Sequence, residues 1–359
     1  MIEIGLEDLE RYLKETLGAS VELKGVGEIG VWDEQAMKEF GYGKSLKVTY
    51  EKDGREEHAV FSTMRGDRYG HQFYWDRAAI LMFEYDTSDR MEKHVRPRGL
   101  GYIDEDGHLV PLTKPREFFI VNELLDGKPY FHDLERIKRG KVRPQDRELV
   151  RDFARWLARV HAQKKGEPDL YLRRVRELIG GSECIWGLID AYPHPYREFP
   201  PEAFRDMEKT LIDWRWRLRA YGHRLAVVHG DFHTWNVLIR PDGGLSVLDR
   251  SRGEWGEPAD DIAAMDANYL LYGLYQGRRL SDDFADLHIA FWTEYLEQTG
   301  DQEILEVIAP FYVFRGLVTA NPEWYPGHPT QVRQSLLRFT QSVLVDDRFD
   351  YRNINKYLG

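Results

Sequence analysis

The sequence predicts an α+β chain of two lobes, a small β-rich lobe over residues 1–124 and a larger, mostly helical lobe over residues 125–359. Three observations lead to that class. Short apolar runs separated by turn residues crowd the first third of the chain, an Asp126-Gly127 pair closes the last of them, and beyond it the apolar residues recur at helical spacing. With 359 residues, 42% of them hydrophobic and 13% aromatic, the chain has the length for two ordinary domains and enough apolar material for a sizeable core.

The elements follow in order. Leu6, Leu9, Leu13 and Leu17 recur at helical spacing, and Gly18 supplies a stop. VELKGVG from Val21 reads as a strand. KSLKVTY from Lys44 and HAVFSTM from His58 are two more, joined across Lys52-Asp53-Gly54 as a hairpin. A helix is expected around Trp75 to Glu84, followed by a Gly- and Pro-containing stretch from Arg96 to Gly101 and by the apolar run EFFIVNELL from Glu117. In the second lobe Leu149, Val150, Phe153, Trp156, Leu157 and Val160 trace one face of a helix from Arg147 to His161. LAVVHG from Leu225 and LSVLD from Leu245 read as strands, the second preceded by an Asp242-Gly243-Gly244 turn. Ser281 reads as a helix N-cap followed by Asp282 and Asp283, with Phe284, Leu287, Phe291, Trp292 and Tyr295 as the buried stripe. There is no internal repeat and no low-complexity segment.

Several function classes fall away on composition. A formal charge of −11 argues against a general nucleic-acid binder, which needs a basic face to displace counterions. The lone cysteine, Cys184, rules out an intramolecular disulfide and a Cys-based zinc site, and reads as a buried small hydrophobe. The N-terminus lacks the basic start and apolar run of a signal peptide, and no stretch approaches the ~20 apolar residues of a membrane span. The expectation is a soluble, cytoplasmic protein with no membrane and no nucleic-acid partner, its oligomeric state open.

The chemistry is concentrated between Val227 and Gly253. This segment holds His229-Gly230-Asp231, then Asn236 five residues after Asp231, then Asp249 thirteen residues after Asn236. Phosphoryl transfer from a magnesium nucleotide asks for such a set: one carboxylate to meet the acceptor hydroxyl and two oxygen ligands for the metal that bridges the phosphates. The same residues admit a plainer reading, since Asp and Asn cap turns. A second reading takes His229-x-Asp231-x-His233 as the ligand cluster of a metal-dependent hydrolase, with His161 or His223 completing it.

The segment resembles the aminoglycoside phosphotransferase and choline kinase family, whose fold is related to that of protein kinases. The resemblance rests on the His-Gly-Asp, the Asn five residues on, the strand-borne Asp and a tail supplied here by Pro258-Ala259-Asp260-Asp261-Ile262-Ala263. LARVHA from Leu157 and IVNELLDG from Ile120 extend it over most of residues 118–263. It implies a two-lobed protein-kinase-like fold and an ATP- and Mg2+-dependent phosphotransferase acting on a small-molecule hydroxyl. Asp231 would be the catalytic carboxylate, Asn236 and Asp249 the metal ligands, and His229 and Asp261 supports for the loop. The backbones of Glu123 and Leu125 would meet the adenine edge.

One landmark of the family is missing. A Lys or Arg near the end of the third strand should contact the phosphates and pair with a helical Glu, and Ser62 occupies that position. Glu84 is the candidate acid partner. Either Arg65, three residues late, or Lys47, one strand earlier, substitutes, or the protein binds nucleotide with little turnover as a scaffold. Arg65→Ala is expected to weaken ATP-dependent activity more than Lys47→Ala. The segment RGDRYGHQFYWDRAA from Arg65 could reach over the phosphates or be a solvated connector. Gly25, Gly27 and Gly30 form a weak glycine pattern, while Gly43-Lys44-Ser45 is rejected as a P-loop because Lys38 stands where a glycine is required.

No activation segment with an Ala-Pro-Glu close follows Asp249, which disfavours protein substrates. The acceptor is left open among aminoglycosides, choline, amino sugars and related alcohols. NPEWYPGHP from Asn321 could rim the cleft, and Arg315 is read equally as a packing or a substrate residue. Between Gly253 and Glu306 thirteen acids face only Arg278 and Arg279, an excess equal to the whole formal charge of −11. A solvated helical face explains it most simply; an acidic acceptor pocket would give a lean toward cationic substrates.

Overall fold

A computed structural model describes residues 5–28, 43–113, 115–280 and 282–359. Gly30, Lys38 and the N-cap expected at Ser281 lie outside the described residues. The chain forms two compact units, Met1–Asn122 and Glu123–Gly359.

The first unit begins with α1 (Leu6–Leu17), which ends at Gly18 with a φ of 128°. Strands β1 (Glu22–Glu28), β2 (Gly43–Lys52) and β3 (Arg55–Met64) form an antiparallel sheet in that order. The β2–β3 connection is the two-residue turn Asp53-Gly54, whose φ values of 51° and 73° follow the sense of a type I′ hairpin. Leu9, Tyr12 and Leu13 of α1 cover one face of the sheet, burying Val48 and Tyr50 together with Val21 and Leu109. Lys47, Val60 and Ser62 are exposed on the opposite face. Helix α2 (Tyr74–Thr87) and the hairpin β4 (Gly101–Ile103) with β5 (Leu109–Pro111) complete the unit.

The resemblance implied that IVNELLDG from Ile120, within the apolar run from Glu117, is the strand and hinge at the adenine edge. Residues 115–127 instead have no regular structure, and Phe119, Ile120, Val121 and Leu124 are at least 80% exposed. No described strand pairs with this segment, and a single unpaired strand has nothing to hold its backbone groups.

The second unit carries the short strand β6 (Lys128–Pro129), α3 (Phe131–Lys138), α4 (Pro144–His161), α5 (Pro168–Gly180), α6 (Ile185–Asp190) and α7 (Pro201–Leu218). Four brief strands follow, β7 (Ala226–Val227), β8 (Val237–Ile239), β9 (Leu245–Val247) and β10 (Trp255–Gly256), then α8 (Ala259–Leu274), α9 (Asp282–Thr299), α10 (Ile304–Val307), α11 (Ala309–Ala320) and α12 (Thr330–Val343). Helix α8 is buried almost all round and packs against α9 and α11, while α4 packs on α9 and α12 on α11. Its buried Asp266 accepts from His288 Nδ1 at 2.7 Å, Trp292 Nε1 at 3.2 Å and the Tyr312 hydroxyl.

The acids between residues 253 and 306 do not form one solvated face. Glu257 and Asp301 pair with Arg224, Glu294 with Arg155, Asp260 with Arg315 and Glu306 with Arg348. Asp261, Asp266 and Glu303 meet His161, His288 and His223. Much of the surplus therefore serves as counter-charge to bases from elsewhere in the chain.

Candidate active site

The loop between β7 and β8 is pinned on every side. β7 pairs with β10, and Val228 N–H donates to Glu254 O at 3.0 Å. β8 and β9 form a hairpin about Asp242-Gly243-Gly244, with β6 on the far edge of β8. Phe232 is fully buried beside Phe153 and Trp156 of α4. Gly230 has a φ of 85°, and a Cβ there would lie 3.1 Å from Arg252 Cβ, so glycine is required.

Asp261, at the start of α8, closes the loop from below. Its Oδ2 accepts the backbone N–H of His229 at 2.7 Å and its Oδ1 accepts that of Gly230 at 2.7 Å. His161 Nε2 adds a contact to Oδ2 at 3.1 Å, while its Nδ1 meets the Tyr295 hydroxyl at 2.8 Å. Burial would raise the Asp261 pKa, but these donors hold it below the usual carboxylate value. His229 is buried and kept neutral by that burial; its Nδ1 accepts the Asp231 N–H at 3.3 Å, and its Nε2 finds no hydrogen-bond partner.

Asp231 and Asn236 meet at the mouth of the β8–β9 hairpin, and Asp249 follows the strand end that lies beside Asn236. The Asn236 amide donates to Asp231 O at 3.1 Å and Oδ2 at 3.3 Å. The Asn236 backbone carbonyl accepts Leu248 N–H at 2.9 Å, which sets Asn236 beside the residue that precedes Asp249. Asp249 is exposed, with a φ of 55°, a region that a side-chain-bearing residue enters at a cost.

The environment of Asp231 is cationic. Its Oδ1 takes a hydrogen bond from Arg315 Nη1 at 2.5 Å and lies 3.9 Å from Arg252 Nε, and its Oδ2 lies 3.5 Å from His233 Nε2. Burial pushes its pKa up, but His233 and Arg315 outweigh that and leave it far below the ordinary range. Asp231 is an ionised, weakly basic carboxylate.

The remaining expected residues are distributed over both units. Lys47 projects from β2 opposite Val60, and Arg65 follows the last residue of β3. Glu84 is exposed on α2. The stretch from Arg65 to Ala79 is closed on itself rather than merely solvated: Asp67 accepts from Tyr69 N–H and contacts His71 Nδ1 at 2.9 Å, and Arg77 donates to the carbonyls of His71 and Gln72. Glu123 is exposed and Leu125 half-buried in the irregular segment.

Sequence reasoning left Arg315 undecided and passed over Asp260 and Arg252. A signal was present for the first: a single arginine inside the apolar run FYVFRGLV has to find an acid when the helix is buried. The metal-hydrolase reading loses its ligands, because His229 is enclosed with its Nδ1 turned to a backbone N–H. Among the described residues no group of three or more His, Cys, Asp or Glu could hold a metal.

The model of the phosphotransferase enzyme family, APH, matches residues 69–289, more than half of the chain. The chain belongs to that family. Its β-rich and helical units are those of a kinase-like α+β fold, and as a family member it is a small-molecule kinase acting on a hydroxyl. Solved structures similar to this phosphotransferase include an ethanolamine kinase of Plasmodium vivax, at 15% identity over 94% of this chain and 81% of that one, with a TM-score of 0.34. The choline kinase LicA of Streptococcus pneumoniae is 14% identical over 94% of this chain and 99% of its own, with a TM-score of 0.33. An aminoglycoside phosphotransferase of Streptomyces rimosus is 16% identical over 86% and 99%, with a TM-score of 0.34. No curated protein matches the sequence. No helix among the described residues is long and apolar enough to cross a membrane.

Proposed function

We propose that this phosphotransferase moves the γ-phosphoryl group of ATP, with Mg2+, to the hydroxyl of a small molecule held against Asp231. The observation that carries the reading is the double attachment of Asn236. Its side chain bonds Asp231, and its backbone bonds the strand end that presents Asp249.

The donor set suits magnesium. Asn236 and Asp249 offer hard oxygen ligands, Asp249 is exposed, and Mg2+ is commonly held by one or two protein oxygens with phosphates completing the shell. When bound, the ion would neutralise phosphate charge as the bond to the leaving oxygen loosens.

Asp231 would accept a hydrogen bond from the acceptor hydroxyl and aim its oxygen at the phosphorus. A low pKa fits this role. In a loose transition state the hydroxyl loses its proton late, so orientation contributes more than base strength. The two arginines beside Asp231, Arg315 and Arg252, also disfavour an amine directly at the reacting hydroxyl. With most of its acids engaged by Arg or His, the 253–306 segment is a weak argument for a cationic acceptor.

An ADP-release screen over sugars, amino alcohols and aminoglycosides tests the reading. Asp231→Asn should lower turnover with the best acceptor by about 10³-fold while leaving nucleotide binding in place. Tight Mg2+-nucleotide binding without turnover on any acceptor, or turnover that survives Asp231→Asn, would sink it.

A further inference from the structure

The two oxygens of Asp231 are held very differently. Oδ1 sits on Arg315 Nη1 at 2.5 Å, whereas Oδ2 has only the longer contacts to Asn236 Nδ2 at 3.3 Å and His233 Nε2 at 3.5 Å. Arg315 is itself fixed by groups other than Asp231. Its Nη2 donates to Gly230 O at 3.1 Å and to Asp260 Oδ1 at 2.7 Å, which sets the plane of the guanidinium. Beneath it lies the ring of Phe314, 4.6 Å from Arg315 Cζ, and the same ring carries Arg252 Cζ at 4.7 Å. Arg315 is only 5% exposed, and α11 packs on α8, the helix that bears Asp260 and Asp261. In this orientation the guanidinium meets all three acceptors at once, Asp231 Oδ1, Gly230 O and Asp260 Oδ1.

We propose that Arg315 is the positioning residue of the phosphoryl-transfer site, clamping Asp231 through Oδ1 so that Oδ2 is the oxygen presented to the acceptor hydroxyl. The inference rests on the reading of Asp231 as the residue that meets the acceptor. Asp260 belongs to the device. It offsets the arginine's charge, so that the guanidinium orients Asp231 without standing as an uncompensated buried cation. Gly230 O gives the same guanidinium a hold on the loop backbone, so side chain and loop are aligned from one rigid element. Without the clamp, the carboxylate can turn about its Cβ–Cγ bond and the two oxygens lose their separate assignments.

The test uses Arg315→Lys and the double variant Arg315→Met with Asp260→Asn, which removes the buried cation together with one of its counter-charges. Three quantities are measured for each and for the wild type: melting temperature, affinity for Mg2+·ADP, and kcat and KM for ATP in acceptor-dependent ADP release. The double variant should melt near the wild type and bind Mg2+·ADP within a factor of about 2, yet lose about 100-fold in kcat at unchanged KM, the scale of a misplacement of about 1 Å. Arg315→Lys, which keeps a charge but not the planar fork, should recover about tenfold of that loss. A folded double variant with kcat within threefold of wild type overturns the proposal. So does a parallel loss of kcat and nucleotide affinity, which would mark a structural role. If the double variant does not fold, Arg315→Lys decides alone: full kcat overturns the clamp, and a loss confined to kcat supports it. A wild-type protein that releases no ADP with any acceptor removes the reading of Asp231 itself, and the clamp with it.

Discussion

At the scale of single residues, Asp261 shows how a loop with almost no regular structure is kept in one shape. It is fully buried and receives two backbone N–H groups and an imidazole. An amide has only one acceptor oxygen, so Asp261→Asn should leave one of these donors unmatched. We expect a loss of about 3 kcal/mol in chemical denaturation, in line with buried charged hydrogen bonds; a change below about 1 kcal/mol would mean that the loop is held by its strands instead. The motif spacing pointed to Asp231, Asn236, Asp249, His229 and Asp261 as one set; hydrogen bonds link Asp231 with Asn236 and His229, and His229 with Asp261, while Asp249 follows the strand end bonded to the Asn236 backbone. Arg315 was visible only as an anomaly. Its partner lies 84 residues earlier, and no local pattern encodes which acid a buried arginine meets across such a separation.

At the scale of elements, the β2–β3 hairpin was legible because Asp53-Gly54 specifies both the turn and the register. That register bears on the missing phosphate-binding cation. Ser62 lies opposite Ser45, with their hydroxyls 2.9 Å apart, and Lys47 lies opposite Val60, two residues along on the same exposed face. Lys47 is therefore the diagonal neighbour of Ser62, within reach of a long side chain, whereas Arg65 lies past the end of β3. The strand register favours Lys47 and reverses the order expected from the sequence. Lys47→Ala should raise KM for ATP about tenfold, the scale of one charge-assisted hydrogen bond, with Arg65→Ala smaller. Steady-state ADP release on the two variants checks this, and an Arg65 effect equal to or larger than that of Lys47 would reject it. The run at residues 117–125 was not legible, because apolar composition marks a segment that some partner can cover and does not by itself provide a neighbouring strand.

For the whole molecule, the sequence located the negative excess correctly and could not say what it faced. In the structure much of it is engaged by Arg and His across the helices, and Asp266–His288 is the most enclosed of these pairs. His288 meets acceptors at both ring nitrogens, Asp266 Oδ1 and Tyr351 O, each at 2.7 Å, so both nitrogens must donate and the ring is an imidazolium. Burial opposes that charge, but Asp266 raises the pKa above 6.5. A raised pKa contributes stability that is complete below the unfolded value of 6.5 and is lost as pH rises through the folded value. The melting temperature of the wild type should therefore fall more steeply above neutrality than that of His288→Gln, and parallel melting curves against pH would contradict this. A second group of these pairs, Arg224 between Glu257 and Asp301 and within 3.6 Å of Glu303, points elsewhere. The cost of stripping water from charges falls on heating, while the gain from burying apolar surface levels off. An ion-pair lattice of this kind weighs most when the protein is warm, so the helical unit is better braced against heat than against cold.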